Sequence, residues 1–223
     1  LVITIIDWVL KVGGSLFPKH AIELIKSIKD TKTLVINGGG EFANLIRKYD
    51  CEVDFTDDVS HKTAINSMDI IAKLLNDKIE FSELVYTLDE AIEVAGNGKI
   101  PILLSSGIIN KLNPLESSWD VTSDSIAAYI SNLLKSKLLI ATNVDGIYTQ
   151  KPTLQGSKFI DEITAKNLLS FNESSIDLML PKLLLEFGAD CFIVNGKYPE
   201  RVLSIINSNF NNHNFKYTYI RGD

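Results

Sequence analysis

The chain has 223 residues, 45% of them hydrophobic and 22% charged, with a formal net charge of -6. That apolar content supports a sizeable core and argues against a disordered chain or a disulfide scaffold. The acidic balance argues against a nucleic-acid surface, and no apolar run reaches the roughly 20 residues of a membrane helix. Cys51 and Cys191 lie far apart without CxxC spacing. That points away from structural zinc and toward a reducing, cytoplasmic compartment.

Leu1 to Ile6 is apolar without a basic leader and reads as a first strand. Trp8-Val9-Leu10 leads into Lys11-Val12-Gly13-Gly14-Ser15, and a helix follows with Ala21, Leu24, Ile25 and Ile28 on one face. Thr33 to Ile36 is a strand running into Asn37-Gly38-Gly39-Gly40, then a helix with Phe42, Leu45, Ile46 and Tyr49 in register. Ser60 to Leu75 reads as a longer helix, Leu84 to Thr87 as a strand, Asp89 to Ala95 as a helix, and Ile100 to Leu104 as a strand. Thr122 begins a helix with Ile126, Tyr129, Ile130 and Leu133 inward. Leu138 to Thr142 and Cys191 to Val194 are strands flanking a helix over Ser174 to Phe187. Pro199 opens a last helix, and Lys216 to Ile220 makes a final strand. Residues 149–162 and 207–215 are the candidate loops. This alternation predicts an α/β protein with a mostly parallel sheet covered by helices on both faces.

Four segments carry chemistry. Lys11 stands before paired glycines at a strand end, where bare backbone can turn sharply and offer N–H groups to an anion. A plain turn explains the same residues equally well. Asn37-Gly38-Gly39-Gly40 feeds a helix N-terminus, a ready anion site. Gly38-x-Gly40-x-x-Ala43 also matches a loose dinucleotide fingerprint, but no acidic strand end follows about 20 residues on, and no GxxxxGK[ST] is present. Trp119-Asp120-Val121-Thr122-Ser123-Asp124-Ser125 sets polar groups at a helix start. Capping explains Thr122 or Ser123 but leaves Asp124 over, free to orient lysines. Finally, Thr142-Asn143-Val144-Asp145-Gly146-Ile147-Tyr148 breaks from a strand's carboxyl end, where α/β sheets bind ligands.

In this order, with a late Asn195-Gly196, these motifs resemble the amino acid kinase superfamily from Lys11 to Gly196. The resemblance implies a three-layer αβα sandwich in one domain over 1–223, with the acceptor over the first half, about 1–120, and ATP over the second, about 121–223. It implies ATP with Mg2+ as cosubstrate, a small-molecule acceptor and a homo-oligomer. By resemblance, Lys11, Asp124 and Lys182 are catalytic, with Asp124 holding the lysines in place. Gly13, Gly14, Ser15, Thr142, Asn143, Asp145, Gly146 and Tyr148 join Lys11 and Lys182 at ATP. Asn37, Gly38, Gly39, Gly40, His61, Asp69, Trp119 and Thr122 face the acceptor, and no protein ligand to a metal is assigned. The match to Lys182 departs from the family, since Asp177-Leu-Met-Leu-Pro precedes it where glycine and methionine are usual, and Lys151-Pro152 replaces Asp-Pro.

The stretches GGGEFANLIRKYD, SHKTAINSMD and SWDVTSDSIAAYI are similar to a smaller branch, the archaeal kinases of methanofuran biosynthesis. Those phosphorylate an aminomethylfuran-methyl phosphate to its diphosphate. Uridylate-like or isopentenyl-phosphate-like acceptors, or a non-catalytic nucleotide-binding protein on the same fold, are the alternatives.

Overall fold

The computed structural model describes residues 6–150, 153–171, 176–207 and 214–223. Most of the expected first strand, Lys151-Pro152, the expected helix start at Ser174 and most of 207–215 lie outside these residues.

Eight strands form one sheet in the order β3-β4-β2-β1-β5-β9-β10-β8. Its centre is β1 (Trp8–Val12), β2 (Thr33–Asn37), β5 (Lys137–Thr142) and β9 (Cys191–Asn195), and one side continues through β4 (Ile100–Leu103) to β3 (Ser82–Val85). All of these pair in parallel. On the other side β10 (Tyr217–Arg221) runs antiparallel to β9 and parallel to β8 (Glu162–Thr164).

Residue alternation sorts the central strands into two apolar layers, because successive strand side chains point to opposite faces. Trp8, Leu10 and Val12 of β1 meet α1 (Lys19–Ser27), α9 (Pro199–Asn207) and part of α3 (Asp57–Asp77). Val9, with Leu34 and Ile36 of β2, meets α4 (Leu88–Gly96), α5 (Ser105–Leu112), α6 (Ser123–Leu134), α7 (Ala165–Leu168) and α8 (Leu180–Phe187). The sandwich is therefore helix, sheet, helix, as the strand–helix alternation predicted. Lys11 shares its parity with Val9, so its side chain emerges on the face that α6 covers.

Several elements differ from expectation. α5 and α7 were not legible as helices. The helix expected from Ser174 begins at Leu180, since Ile176 to Met179 is not helical. Part of the 149–162 loop is a strand, β7 (Phe159–Ile160), paired antiparallel to β6 (Ile147–Tyr148). Leu133 was expected inward on α6 but is 44% exposed; Ala127, Ala128 and Ser131 are buried instead. α2 (Gly40–Val53) has no buried residue at all, and Phe42, Leu45 and Tyr49 face outward.

Candidate active site

The parallel pairing brings four motifs to one edge. Val12 is in register with Asn37 on one side and Ala141 on the other, and Thr142 is in register with Asn195. The glycine turns after β1 and β2, the loop after β5 and Gly196 after β9 thus leave the same carboxyl edge of the sheet. The chain steps from β1 to β2 in one direction, while β5 and β9 lie in the other. The crevice between β1 and β5 is a topological switch point, the usual ligand position in such sheets.

The two glycine turns pack backbone against backbone. A Cβ on Gly38 would sit 2.7 Å from Gly14 N, and one on Gly14 would meet Gly40 N and, at 2.5 Å, Gly40 Cα. Side chains are excluded here by contact, and Gly40 also adopts φ +54. Gly39, by contrast, has an ordinary φ of -76; what a side chain there would strike is Ser67 Oγ and Ala43. Gly13 N donates to Ala141 O at 2.8 Å, fixing the first turn on β5. Ser15 lies exposed in the short turn that follows.

Lys11 and Asp124 form the charged centre. Lys11 Nζ lies 2.6 Å from Asp124 Oδ1, with side-chain exposures of 10% and 6%. Burial pushes the Asp124 carboxyl above its ordinary range against the opposing pull of Lys11, and the nearby Asp177 adds to the rise. Asp124 is not the cap of its helix. That role belongs to Thr122, whose Oγ1 accepts from Asp124 N at 3.3 Å.

The residue that sequence reasoning missed is Asp177. Its Oδ2 accepts from Thr122 N and Thr122 Oγ1, both at 2.8 Å, and from Ser125 N at 3.1 Å. Its Oδ1 accepts from Ser125 Oγ at 2.6 Å and Leu180 N at 2.7 Å. Asp177 N in turn donates to Asp124 Oδ2 at 3.3 Å. One carboxylate so joins the starts of α6 and α8. The available signal was an acidic residue three positions before a helix, a capping pattern. Lys182 lies exposed on α8, and Asp124 pairs with Lys11 rather than with it.

Beside this centre opens a pocket walled by three helices. From the cap of α2 comes Gly39 and from α2 itself Ala43 and Arg47, at helical spacing; from α3 come His61, Ala64, Ile65 and Met68. The start of α6 adds Val121, Thr122, Ser123 and Ile126, with Trp119 preceding it. Arg47 stacks its guanidinium 4.6 Å from the Trp119 ring centre. Trp119 Nε1 donates to Asp50 Oδ2 at 2.7 Å, and Ser60 Oγ donates to Asp50 Oδ1 at 2.6 Å. These bonds, Ser60's first, hold the Asp50 carboxyl below its usual range.

Two expected acceptor residues make contacts within the fold. Asn37 donates to Met68 O at 2.7 Å, tying β2 to α3. Asp69 does not line the pocket; it accepts from Ser106 N at 3.3 Å and from Ser106 Oγ, holding the start of α5.

On the other flank, Thr142 O accepts from Gly196 N at 2.8 Å, and Asn143 is exposed in the following loop. Asp145 Oδ1 pairs with Arg201 Nη1 at 2.9 Å and accepts from Asn195 Nδ2 at 3.1 Å, which anchors that loop to α9 and β9. Gly146 passes close to Thr218, whose Oγ1 accepts from Ile147 N at 2.8 Å. Tyr148 packs edge-on against Phe159 at 5.2 Å. Among the described residues no group of three or more His, Cys, Asp or Glu side chains converges as a metal site.

Against known families, the model of the amino acid kinase family matches residues 8–195. The chain belongs to the amino acid kinase family. Within it, the chain is 37% identical over 212 residues to the [5-(aminomethyl)furan-3-yl]methyl phosphate kinase of Methanocaldococcus jannaschii, covering 91% of this chain and 94% of that protein. It is 27% identical to the uridylate kinase of Methanococcoides burtonii, over 89% of this chain and 90% of that one. The fold is that of the uridylate kinase from Archaeoglobus fulgidus, with a TM-score of 0.73 at 21% identity over 96% of this chain and all of that one. The family bears out the fold expected from the motif order, and no helix among the described residues is long and apolar enough to cross a membrane.

Proposed function

We propose that this kinase transfers the γ-phosphoryl group of ATP to a phosphomonoester, with [5-(aminomethyl)furan-3-yl]methyl phosphate as the acceptor and its diphosphate as the product. An oxygen of the acceptor phosphate attacks the γ-phosphorus, the bond to the β-bridging oxygen breaks, and ADP leaves. The reaction asks for positioning and cationic stabilisation rather than a protein nucleophile. Lys11 supplies charge at the transferring group, Asp124 holds that lysine in place, and Lys182 swings in from the rim of α8. Gly13, Gly14 and Ser15 receive the ATP phosphates, and the 142–148 loop flanks the nucleotide. Mg2+ would be held by the ATP phosphates, whose charge it would offset.

The observation that carries this reading is the pocket bordering the Lys11–Asp124 pair. It shares Thr122 and Ser123 with the helix start that holds Asp124, and it includes Arg47, which no carboxylate among the described residues pairs with. A guanidinium in a pocket that mixes apolar side chains with His61, Thr122 and Ser123 suits a phosphate-bearing acceptor. The similarity to the Methanocaldococcus jannaschii enzyme supports the furan acceptor. The test is ADP release with a panel holding the aminomethylfuran phosphate, UMP and isopentenyl phosphate, with mass spectrometry of the product. The furan phosphate gaining a second phosphate at the highest kcat/KM upholds the reading, with Lys11→Ala as the inactive control. Preference for UMP overturns the acceptor.

The same reading makes the chain one domain acting in the cytoplasm as a homo-oligomer. Phe42, Leu45, Tyr49 and Val53 of α2 are 40–60% exposed in one stripe, a patch suited to a second copy. Light scattering of Leu45→Glu/Tyr49→Glu checks it: the wild type is expected to be dimeric or larger, the variant monomeric.

A further inference from the structure

One residue of the pocket lining carries a buried polar atom that no hydrogen bond among the described residues satisfies. His61 lines the pocket and is only 6% exposed. Its Nδ1 lies 3.3 Å from Ser118 O, and its Nε2 is buried with no hydrogen-bond partner among the described residues. A carbonyl oxygen only accepts, so Nδ1 carries the proton. Burial depresses the tendency of the ring to charge, so the second nitrogen keeps its lone pair near neutral pH. A buried acceptor atom left unsatisfied is costly, and one placed in a ligand pocket is relieved by a ligand that donates to it.

We infer that His61 Nε2 is the element that selects the acceptor, by accepting a hydrogen bond from an N–H or O–H group elsewhere on the same phosphomonoester that Arg47 attracts. The inference rests on the proposed phosphoryl transfer for its substrate, but the geometry of His61 stands apart from it. Discrimination arises because an analogue without the donor leaves Nε2 unsatisfied on binding, as it is in the free protein, while the matching acceptor satisfies it. The apolar neighbours Ala64, Ile65 and Met68 offer no competing donor side chain.

The experiment compares [5-(aminomethyl)furan-3-yl]methyl phosphate with its analogue carrying methyl in place of aminomethyl. Wild-type kcat/KM is expected to favour the amine by about 10- to 100-fold, the scale of one hydrogen bond to a charged group. His61→Phe is expected to bring the ratio of kcat/KM for the amine over the analogue down to about one, whatever it does to both together. His61→Gln, which retains an accepting oxygen at the outer position, is expected to keep most of the preference. An unchanged preference in His61→Phe, as when Nε2 merely holds a water, overturns the inference.

A second arm does not depend on turnover or on the variants folding. Nitrogen NMR of wild-type His61 near neutral pH is expected to show the Nδ1–H form, with Nε2 shifting on addition of the amine but not of the analogue. An Nε2–H or doubly protonated ring, or no response to the amine, overturns the inference. If no furan phosphate is turned over while the NMR response appears, the proposed reaction fails and the recognition by His61 stands.

Discussion

Replacing Asp124 with asparagine keeps the shape of the side chain and removes its charge. In the fold this leaves the Lys11 ammonium, 10% exposed, without the carboxylate 2.6 Å away. Removing one partner of a buried pair costs about 3–5 kcal/mol, because the remaining charge loses its compensation. For a chain of this size each kcal/mol lowers Tm by about 2–4 °C, so a fall of about 6–20 °C is expected. Helix capping contributes none of this, since Thr122 Oγ1 is the cap and stays in place. In catalysis the lysine loses its fixed direction toward the phosphoryl group, and kcat is expected to fall at least about 10²-fold. The dissociation constant of ATP should change only a few-fold, because a ground-state phosphate still meets the ammonium.

The double variant Lys11→Met/Asp124→Leu separates the two effects. Replacing a buried ion pair by apolar residues of similar size is often neutral or stabilising, so Tm should recover toward the wild type while activity stays lost. Single-turnover kinetics and a thermal melt on the wild type and the two variants make the measurement. An Asp124→Asn enzyme within three-fold of wild-type kcat, melting within about 2 °C of it, would refute the role of the pair.

Three other expectations follow from the same geometry. Asp177→Ala removes the acceptor of five hydrogen bonds that join α6 to α8; kcat is expected to fall at least about 10-fold with KM for ATP within a few-fold, and a loss confined to Tm would show that Asp177 is only structural. Gly39→Ala drives a Cβ into Ser67 Oγ and to 2.8 Å from Ala43 Cβ, so a calorimetric melt should show destabilisation of about 1–3 kcal/mol, with acceptor affinity more impaired than ATP affinity. His61 is depressed below its unfolded value of 6.5, so its contribution is present above that pH and fades as pH falls through the lower folded value. Tm should therefore drop between pH 7.5 and 5.5, and by less in His61→Phe; equal slopes would show that His61 charges freely in the fold.

The central strands were legible because buried parallel strands are continuous apolar runs, as in Thr33 to Ile36 and Leu138 to Thr142, whereas the short edge strand β8 was not. Asp124 was singled out because capping left it without a task, and Lys11 for its charge before the paired glycines; the fold puts them in contact. The 174–187 helix failed because Asp177 competes for the backbone there: its carboxylate takes Leu180 N and starts the helix at Leu180. Sequence distance hid the larger fact, that the same carboxylate reaches back more than 50 residues to Thr122 and Ser125.

α2 shows the other way periodicity misleads. A 3.6-residue stripe says that Phe42, Leu45, Ile46 and Tyr49 share a face, not what that face meets. Had it met the core, Ala43 would have pointed to solvent. Instead the stripe is outward, and Gly39, Ala43 and Arg47 wall the pocket. The orientation follows from the glycine turns: Gly14 and Gly38 to Gly40 touch backbone to backbone, which fixes the start of α2 at the sheet edge. The small residues at the root of the helix leave the pocket open beside the sheet edge, and Arg47 two turns on brings a positive charge to its wall. The same register of α2 that walls the pocket therefore sets Phe42, Leu45 and Tyr49 toward solvent.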